Sequence, residues 1–201
     1  TLSWRETYTL DASLRTDRSS TLPKDNNQYY YWGVSGSWVF SKALQSLNWL
    51  SYGKLRLNYA TVYNDAGWGQ VKNTYDQPTP FGGTTLFSLP GTNNNPNLKP
   101  EKTNSREAGI EMSFLNNRLG LDLTYYRTNT FDQILSVDVS TATGYGKQVV
   151  NAGNIQNSGV ELTLRTTPVR TKNFSWDMNI NWTRNRNKVV ELFRDAAGNE
   201  V

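Results

Sequence analysis

The chain has 201 residues, a formal net charge of +4, a mean hydropathy of −0.65, and neither Cys nor His. Without these residues, disulfides, thiolate metal sites and every catalytic arrangement that needs an imidazole base are excluded. Lys and Arg are scattered singly, which is not the clustered footprint of a nucleic-acid-binding protein. We therefore expect no catalytic residue, no metal site, no cofactor and no nucleic-acid partner.

Alternating apolar and polar residues predict about seven strands, because successive strand side chains point to opposite faces. No apolar run approaches the roughly 18 residues that a transmembrane helix needs. In chain order, we expect strands near residues 8–15, 29–40, 52–63, two within 105–126, 155–166 and 175–187.

The clearest alternation lies in 105–126, which reads as a hairpin with a tight turn at 116–118. Ala108, Ile110 and Met112 share one face of its first strand, and Glu107 and Glu111 share the other. One face of the hairpin is therefore apolar and the other polar. The apolar face could cover a soluble core, or it could face lipid.

The predicted connections differ in length. Those after the first, third and fifth strands are long (16–28, 64–104 and 127–154), and those after the second, fourth and sixth are shorter (41–51, 116–118 and 167–174). In an up-and-down sheet the long connections then share one end, as in outer-membrane barrels. This favours an antiparallel up-and-down transmembrane β-barrel.

A soluble β-sandwich that binds carbohydrate is the alternative, since sandwich strands also alternate and the aromatic content of 12% suits both folds. Seven strands would leave two unpaired edges, which hydrocarbon does not tolerate. The chain also begins with Thr1 rather than Met. We therefore expect an internal part of a longer protein, whose other segments supply the missing strands.

Ordered motifs along the chain resemble the SusC/RagA-type TonB-dependent transporters. They are RTDRSSTLPKDNN at 15–27, NPNLKPEKT at 95–103, TGY at 143–145, NAGNI at 151–155 and GVEL at 159–162. Each motif alone is weak evidence, but their order across most of the chain is specific.

The resemblance implies an all-β fold, with residues 1–201 forming part of the C-terminal barrel region and no plug domain. Members of that family are multi-pass barrels of the Gram-negative outer membrane that import glycan oligosaccharides or peptides. They typically act with a SusD-type surface lipoprotein. Energy comes from TonB, through a segment that this chain does not contain.

Within a barrel, the parity of each strand residue predicts whether it faces the lumen or the lipid. The residues expected on the lumen wall are Lys54, Arg56, Glu107, Glu111, Asp122, Glu161, Arg165 and Asp177. Those expected on the lipid-facing wall are Leu55, Leu57, Ile110, Met112, Leu121, Leu123, Val160, Leu162, Leu164, Met178 and Ile180. Paired carboxylates also occur in glycoside hydrolases, but their regular spacing along the strands favours a wall held by cross-strand pairs.

Four aromatic residues in the predicted connection 64–104 are candidates for ligand contact, since flat rings stack on sugars and peptides. They are Trp68, Tyr75, Phe81 and Phe87. Arg184, Arg186 and Lys188 continue the apolar parity of their strand, so we expect them to point outward above the apolar band. Arginine geometry suits phosphate, which suggests contact with outer-membrane lipid or lipopolysaccharide.

Overall fold

Nine strands of one sheet form nearly all the regular structure of residues 1–44 and 46–192, the part of the chain that the computed structural model describes. They are β1 (Leu2–Trp4), β2 (Tyr8–Arg18), β3 (Gln28–Trp38), β4 (Leu50–Asn64), β5 (Thr92–Asn93), β6 (Glu101–Phe114), β7 (Leu119–Asp138), β8 (Lys147–Arg170) and β9 (Ser175–Glu191). Two single-turn 3-10 helices, Phe40–Lys42 and Thr141–Thr143, lie in connections. Within these residues, no helix has the length and apolarity to cross a membrane.

The strands form an antiparallel meander in the order β1-β2-β3-β4-β6-β7-β8, with β9 pairing the other side of β8. The exception is β5, which adds a short parallel pair to the first residues of β8. In the described part of the chain all nine strands belong to this sheet, and it is not closed. A sandwich needs a second sheet, so the fold is a portion of a barrel wall.

All seven predicted strands are present, at β2, β3, β4, β6, β7, β8 and β9. The two that alternation did not reveal, β1 and β5, span only three and two residues. Segments this short cannot display a period of two.

The prediction of a long connection at 127–154 was wrong, because β7 extends to Asp138 and β8 begins at Lys147. Only residues 139–146 connect the two strands. Residues 127–130 are all polar, whereas 134–135 and 149–150 are pairs of consecutive apolar residues, so the alternation that reveals a strand is lost in these strand ends. β7 and β8 have 20 and 24 residues, whereas a membrane crossing takes about 9–11.

The turn between β6 and β7 begins one residue earlier than predicted, at Leu115. Leu115, Asn116 and Asn117 have φ angles of 53°, 57° and 64°, and the Arg118 amide donates to the Leu115 carbonyl. Asn tolerates this left-handed conformation better than other non-glycine residues. Two consecutive Asn residues therefore favour a tight reversal here.

Buried apolar residues gather at the end of the sheet that carries the connection 65–100. This cluster consists of Leu22, Tyr29, Ala66, Leu98 and Val149, and Val71 packs against it. Its members come from two connections and two strands, so it ties the connections to the sheet.

We expect Leu98→Ala to loosen the connection 65–100. Leu98 is 0% exposed, and such a truncation costs about 2–5 kcal/mol of packing free energy. Trypsin has one good site there, after Lys72, since Lys99 precedes Pro100. Tryptic cleavage at Lys72 in the full-length protein should therefore accelerate by about tenfold or more.

The matched control is Leu89→Ala, in the same connection but 55% exposed, which should leave cleavage unchanged. Equal cleavage rates in the two variants would contradict the anchoring role of Leu98.

Candidate functional site

Cross-strand register sorts the predicted wall residues onto the two faces of the sheet. One row joins Lys54, Glu111 and Asp122, and the next joins Arg56 through Gly109 and Thr124 to Glu161. Directly opposite residues share a face, so these side chains lie together on what we call the polar face. Arg165 opposes Gly120 on that face, and the Thr167 hydroxyl donates to Asp177 at 2.6 Å.

The apolar residues form the intervening rows on the other side, which we call the apolar face. One row runs from Leu55 through Ile110, Leu123 and Leu162 to Trp182. The row below it joins Met112, Leu121, Leu164 and Ile180. Leu57 and Ile180 are 55% and 47% exposed, and no second layer covers this face in the described residues.

Arg56 is the centre of a hydrogen-bonded cluster on the polar face. Its Nη2 donates to Asp122 Oδ1 at 2.8 Å and to Thr124 Oγ1 at 2.6 Å, and its Nη1 donates to Asp122 Oδ2 at 3.2 Å. Glu107 Oε1 lies 3.9 Å from Arg56 Nε. A bidentate guanidinium–carboxylate pair is the strongest form of such a contact, so the cluster fixes β4, β6 and β7 in register.

Gly109 allows the Arg56 side chain to extend across β6 to Asp122. It lies on β6 between Arg56 of β4 and Thr124 of β7, so the arginine crosses over it. A Cβ at Gly109 would stand 2.5 Å from Arg56 Nε. A side chain at that position would push the guanidinium away from Asp122.

The connection 65–100 projects a small hairpin. Asp76 and Ser88 exchange two backbone hydrogen bonds, as do Phe81 and Thr84 at the tip. Gly82 and Gly83 between them have φ angles of 56° and 81°, the two positive values that a two-residue type I′ turn requires. Two prolines at 78 and 80 lack backbone donors, so the arm is not a continuous ladder.

The four predicted ligand-contact aromatics are all exposed on this connection, and the structure does not stack them on one another. Trp68 is 94% exposed and Phe81, at the hairpin tip, is 81% exposed. Tyr75 and Phe87 lie near the hairpin base, and they are exposed as well. From residue 77 to residue 90 the arm carries no charged residue, so its surface suits uncharged ligand groups.

Asparagine side chains hold the base of the connection. The Asn94 amide donates to the carbonyls of Gly69 and Lys72 at 2.9 and 2.8 Å, and its backbone N–H donates to Asn73 at 2.7 Å. From β8, the Asn151 side chain accepts from Lys99 N–H and donates to its carbonyl, both at 2.8 Å. The hairpin therefore projects from a fixed base.

The structural role of these asparagines was not identified from the sequence, where they belong to the predicted connections 64–104 and 127–154. Glu101 also has a structural contact, since it accepts from the Ile134 amide at 2.9 Å. The run of Asn at 93–95 and 97 is the signal that could have indicated a closed loop, because Asn side chains bond readily to backbone groups. In the described residues, no group of three or more acidic side chains is placed to hold a metal ion.

An open sheet with one polar and one apolar face and a long anchored connection is a segment of a β-barrel wall. The family model for TonB-dependent receptor-like β-barrels matches residues 1–200. The chain therefore belongs to this family.

Several known proteins are similar to the chain over most of its length. It is 32% identical to TonB-dependent receptor P26 of Formosa agariphila over 94% of the chain, and 32% identical to TonB-dependent receptor SusC of Bacteroides thetaiotaomicron over 92%. A solved structure of the RagAB peptide importer superimposes with a TM-score of 0.86 at 27% identity, over 94% of the chain. The chain spans about a fifth of each: 20%, 19% and 21%.

We expect Gly109→Ala to destabilise the full-length protein in detergent micelles by about 1–2 kcal/mol, because the new methyl displaces Arg56. Gly120→Ala is the control on the same face, where a Cβ would meet Arg165 Cβ at an ordinary 3.6 Å. It should change stability by no more than about 0.5 kcal/mol. Urea unfolding measures both.

A double-mutant cycle identifies the cause. In an Arg56→Ala background the penalty of Gly109→Ala should vanish, since no guanidinium is left to displace. An undiminished penalty would show that Gly109 is required for the backbone rather than for Arg56.

Proposed function

We propose that the full-length protein is an outer-membrane transporter that imports a bulky nutrient by a TonB-dependent mechanism, and that residues 1–201 form part of its C-terminal barrel wall. The observation that carries this proposal is the exposed apolar face of a one-layer sheet in a chain of the TonB-dependent receptor family. Such a face needs an apolar solvent, and lipid is the one available to a barrel.

In the proposed barrel, the two faces of the sheet contact different surroundings. The apolar rows that include Leu123 and Ile180 contact hydrocarbon, and the polar rows that include Arg56 and Glu161 line the lumen. We propose no catalytic role for the polar face. Asp122 accepts two hydrogen bonds from Arg56, so both of its carboxylate oxygens take part in the contact that joins the strands.

The connection 65–100 is the proposed ligand-contact segment, at the extracellular end where long connections of such barrels lie. Exposed rings on a fixed base can stack on a ligand with little ordering cost. Glycan oligosaccharides and peptides both fit an uncharged aromatic arm, and a similar solved structure is that of the RagAB peptide importer. A SusD-type surface lipoprotein is the proposed partner in capture, with plug and TonB contacts supplied by other segments of the protein.

Deleting the complete gene and growing the strain on a panel of glycans and peptides tests this function. We expect growth to fail on one class of oligomer and to continue on its monomers. Unimpaired growth on every oligomer would contradict an import function.

With that nutrient identified, we expect the double variant Phe81→Ala, Phe87→Ala to lower uptake by the complemented strain by about tenfold, since each lost ring removes about 1 kcal/mol or more of stacking. The control is Phe174→Ala, which removes a 59% exposed ring at the opposite end of the sheet. Uptake should stay normal in this control. Equal uptake by the strains that carry the parent protein, the double variant and the control variant would show that the connection 65–100 does not bind the nutrient.

A further inference from the structure

Arginines mark the border of the apolar face at the end that carries the connection 65–100. Along three strands, the first outward residue beyond the last apolar one is Arg: Arg106 follows Ala108, Arg127 follows Tyr125, and Arg184 follows Trp182. All three are exposed. We call them, with Arg186, the arginine rim.

Two rim residues face one another directly, since Arg106 of β6 opposes Arg127 of β7. Like charges at opposed positions destabilise a sheet unless an anion lies between them. Among the described residues, neither arginine belongs to any ion pair. Arg127 donates to Asn129 at 3.3 Å, and the Arg106 guanidinium lies 5.7 Å from the Tyr59 ring centroid. These neutral contacts leave both positive charges available.

The rim continues to the next strands. Ser158 of β8 separates Arg127 from Arg186 in the same row, which places the two arginine backbones about 10 Å apart. Arg184 lies one row lower, opposite Val160. Four guanidinium groups on β6, β7 and β9 therefore face outward within one patch.

An open groove of about 580 Å³ on the apolar face leads up to Arg106. Its depth comes from Gly36 and Ala108, which lie in one row on either side of Leu57. The larger side chains of Val34, Tyr59 and Tyr125 also line it. Chemically, the patch combines an apolar channel with a cluster of phosphate-binding groups at its upper end.

We propose that this surface binds a phosphorylated lipid of the outer leaflet, namely lipopolysaccharide, with an acyl chain in the groove and a phosphate between Arg106 and Arg127. Guanidinium groups bind phosphate bidentately, and the anion relieves the repulsion of the opposed pair. The proposal rests on the proposed function, because it needs the apolar face to lie in the membrane and the long connection to lie outside it. The outer leaflet then meets the arginine rim.

Native mass spectrometry of the full-length protein in detergent, titrated with bis-phosphorylated lipid A, measures this binding. We expect Arg106→Gln, Arg127→Gln to weaken it by about tenfold or more, since two charge-assisted contacts are lost. The control Arg118→Gln, Arg170→Gln removes two exposed arginines at the opposite end, and it should bind lipid A as the parent protein does. Dephosphorylated lipid A should bind the parent about as weakly as the rim variant binds lipid A.

A second variant tests the groove without changing charge. Ala108→Trp fills the channel and should weaken lipid A binding, whereas Met178→Trp, on the apolar face far from the groove, should not.

Equal lipid A binding by the rim variant and the parent, or equal loss in the rim variant and its arginine control, would overturn the proposal. If the parent protein is recovered soluble without detergent, the proposed function fails as well; if it requires detergent and the rim variant still binds, only the lipid site fails.

Discussion

In the residues that the structure describes, the sheet is one layer thick, so only the strands themselves separate its two faces. In the described residues, hydrogen bonds between neighbouring strands hold the sheet together, and the buried apolar cluster around Leu98 lies at the end that carries the connection 65–100. Each face must therefore match its own solvent, and this requirement sets the period-two alternation. Leu123 and Asp122 are neighbours on β7: the row of Leu123 is apolar, and the row of Asp122 is polar.

Glycine residues within the strands are a second feature of this sheet. A strand glycine is a gap in the side-chain layer, and at two positions a long side chain from the neighbouring strand crosses it. Arg56 crosses Gly109 to reach Asp122, and Tyr126 lies over Gly159, where a Cβ would stand 2.6 Å from the tyrosine hydroxyl. Across Gly109 the polar face thus gains a contact between β4 and β7, two strands that are not adjacent, which ordinary cross-strand pairs do not provide.

Most of the sheet was predictable from the alternation of apolar and polar residues, because each residue of a strand between two solvents must suit the solvent that it faces. Alternation failed in the distal parts of β7 and β8, where polar residues such as Asn129 follow one another and the apolar residues Val149 and Val150 are consecutive. The aromatic residues of the long connection could be named from the sequence as candidates for ligand contact, whereas the hairpin that places Phe81 at an exposed tip is visible only in the structure. The hydrogen bond between Asn151 and Lys99 was not predictable, because only the completed meander brings together residues that are 52 positions apart in the sequence.

In the proposed barrel, the apolar face contacts lipid and the polar face contacts water. Single cysteines introduced from Leu119 to Tyr126, in a chain that has none, can each carry a nitroxide in the full-length protein reconstituted into bilayers. The accessibility of these labels to oxygen, which concentrates in lipid, should peak at 119, 121, 123 and 125, and accessibility to a water-soluble nickel chelate should peak at 120, 122, 124 and 126. Accessibility without this alternation, or with the two sets exchanged, would contradict the account.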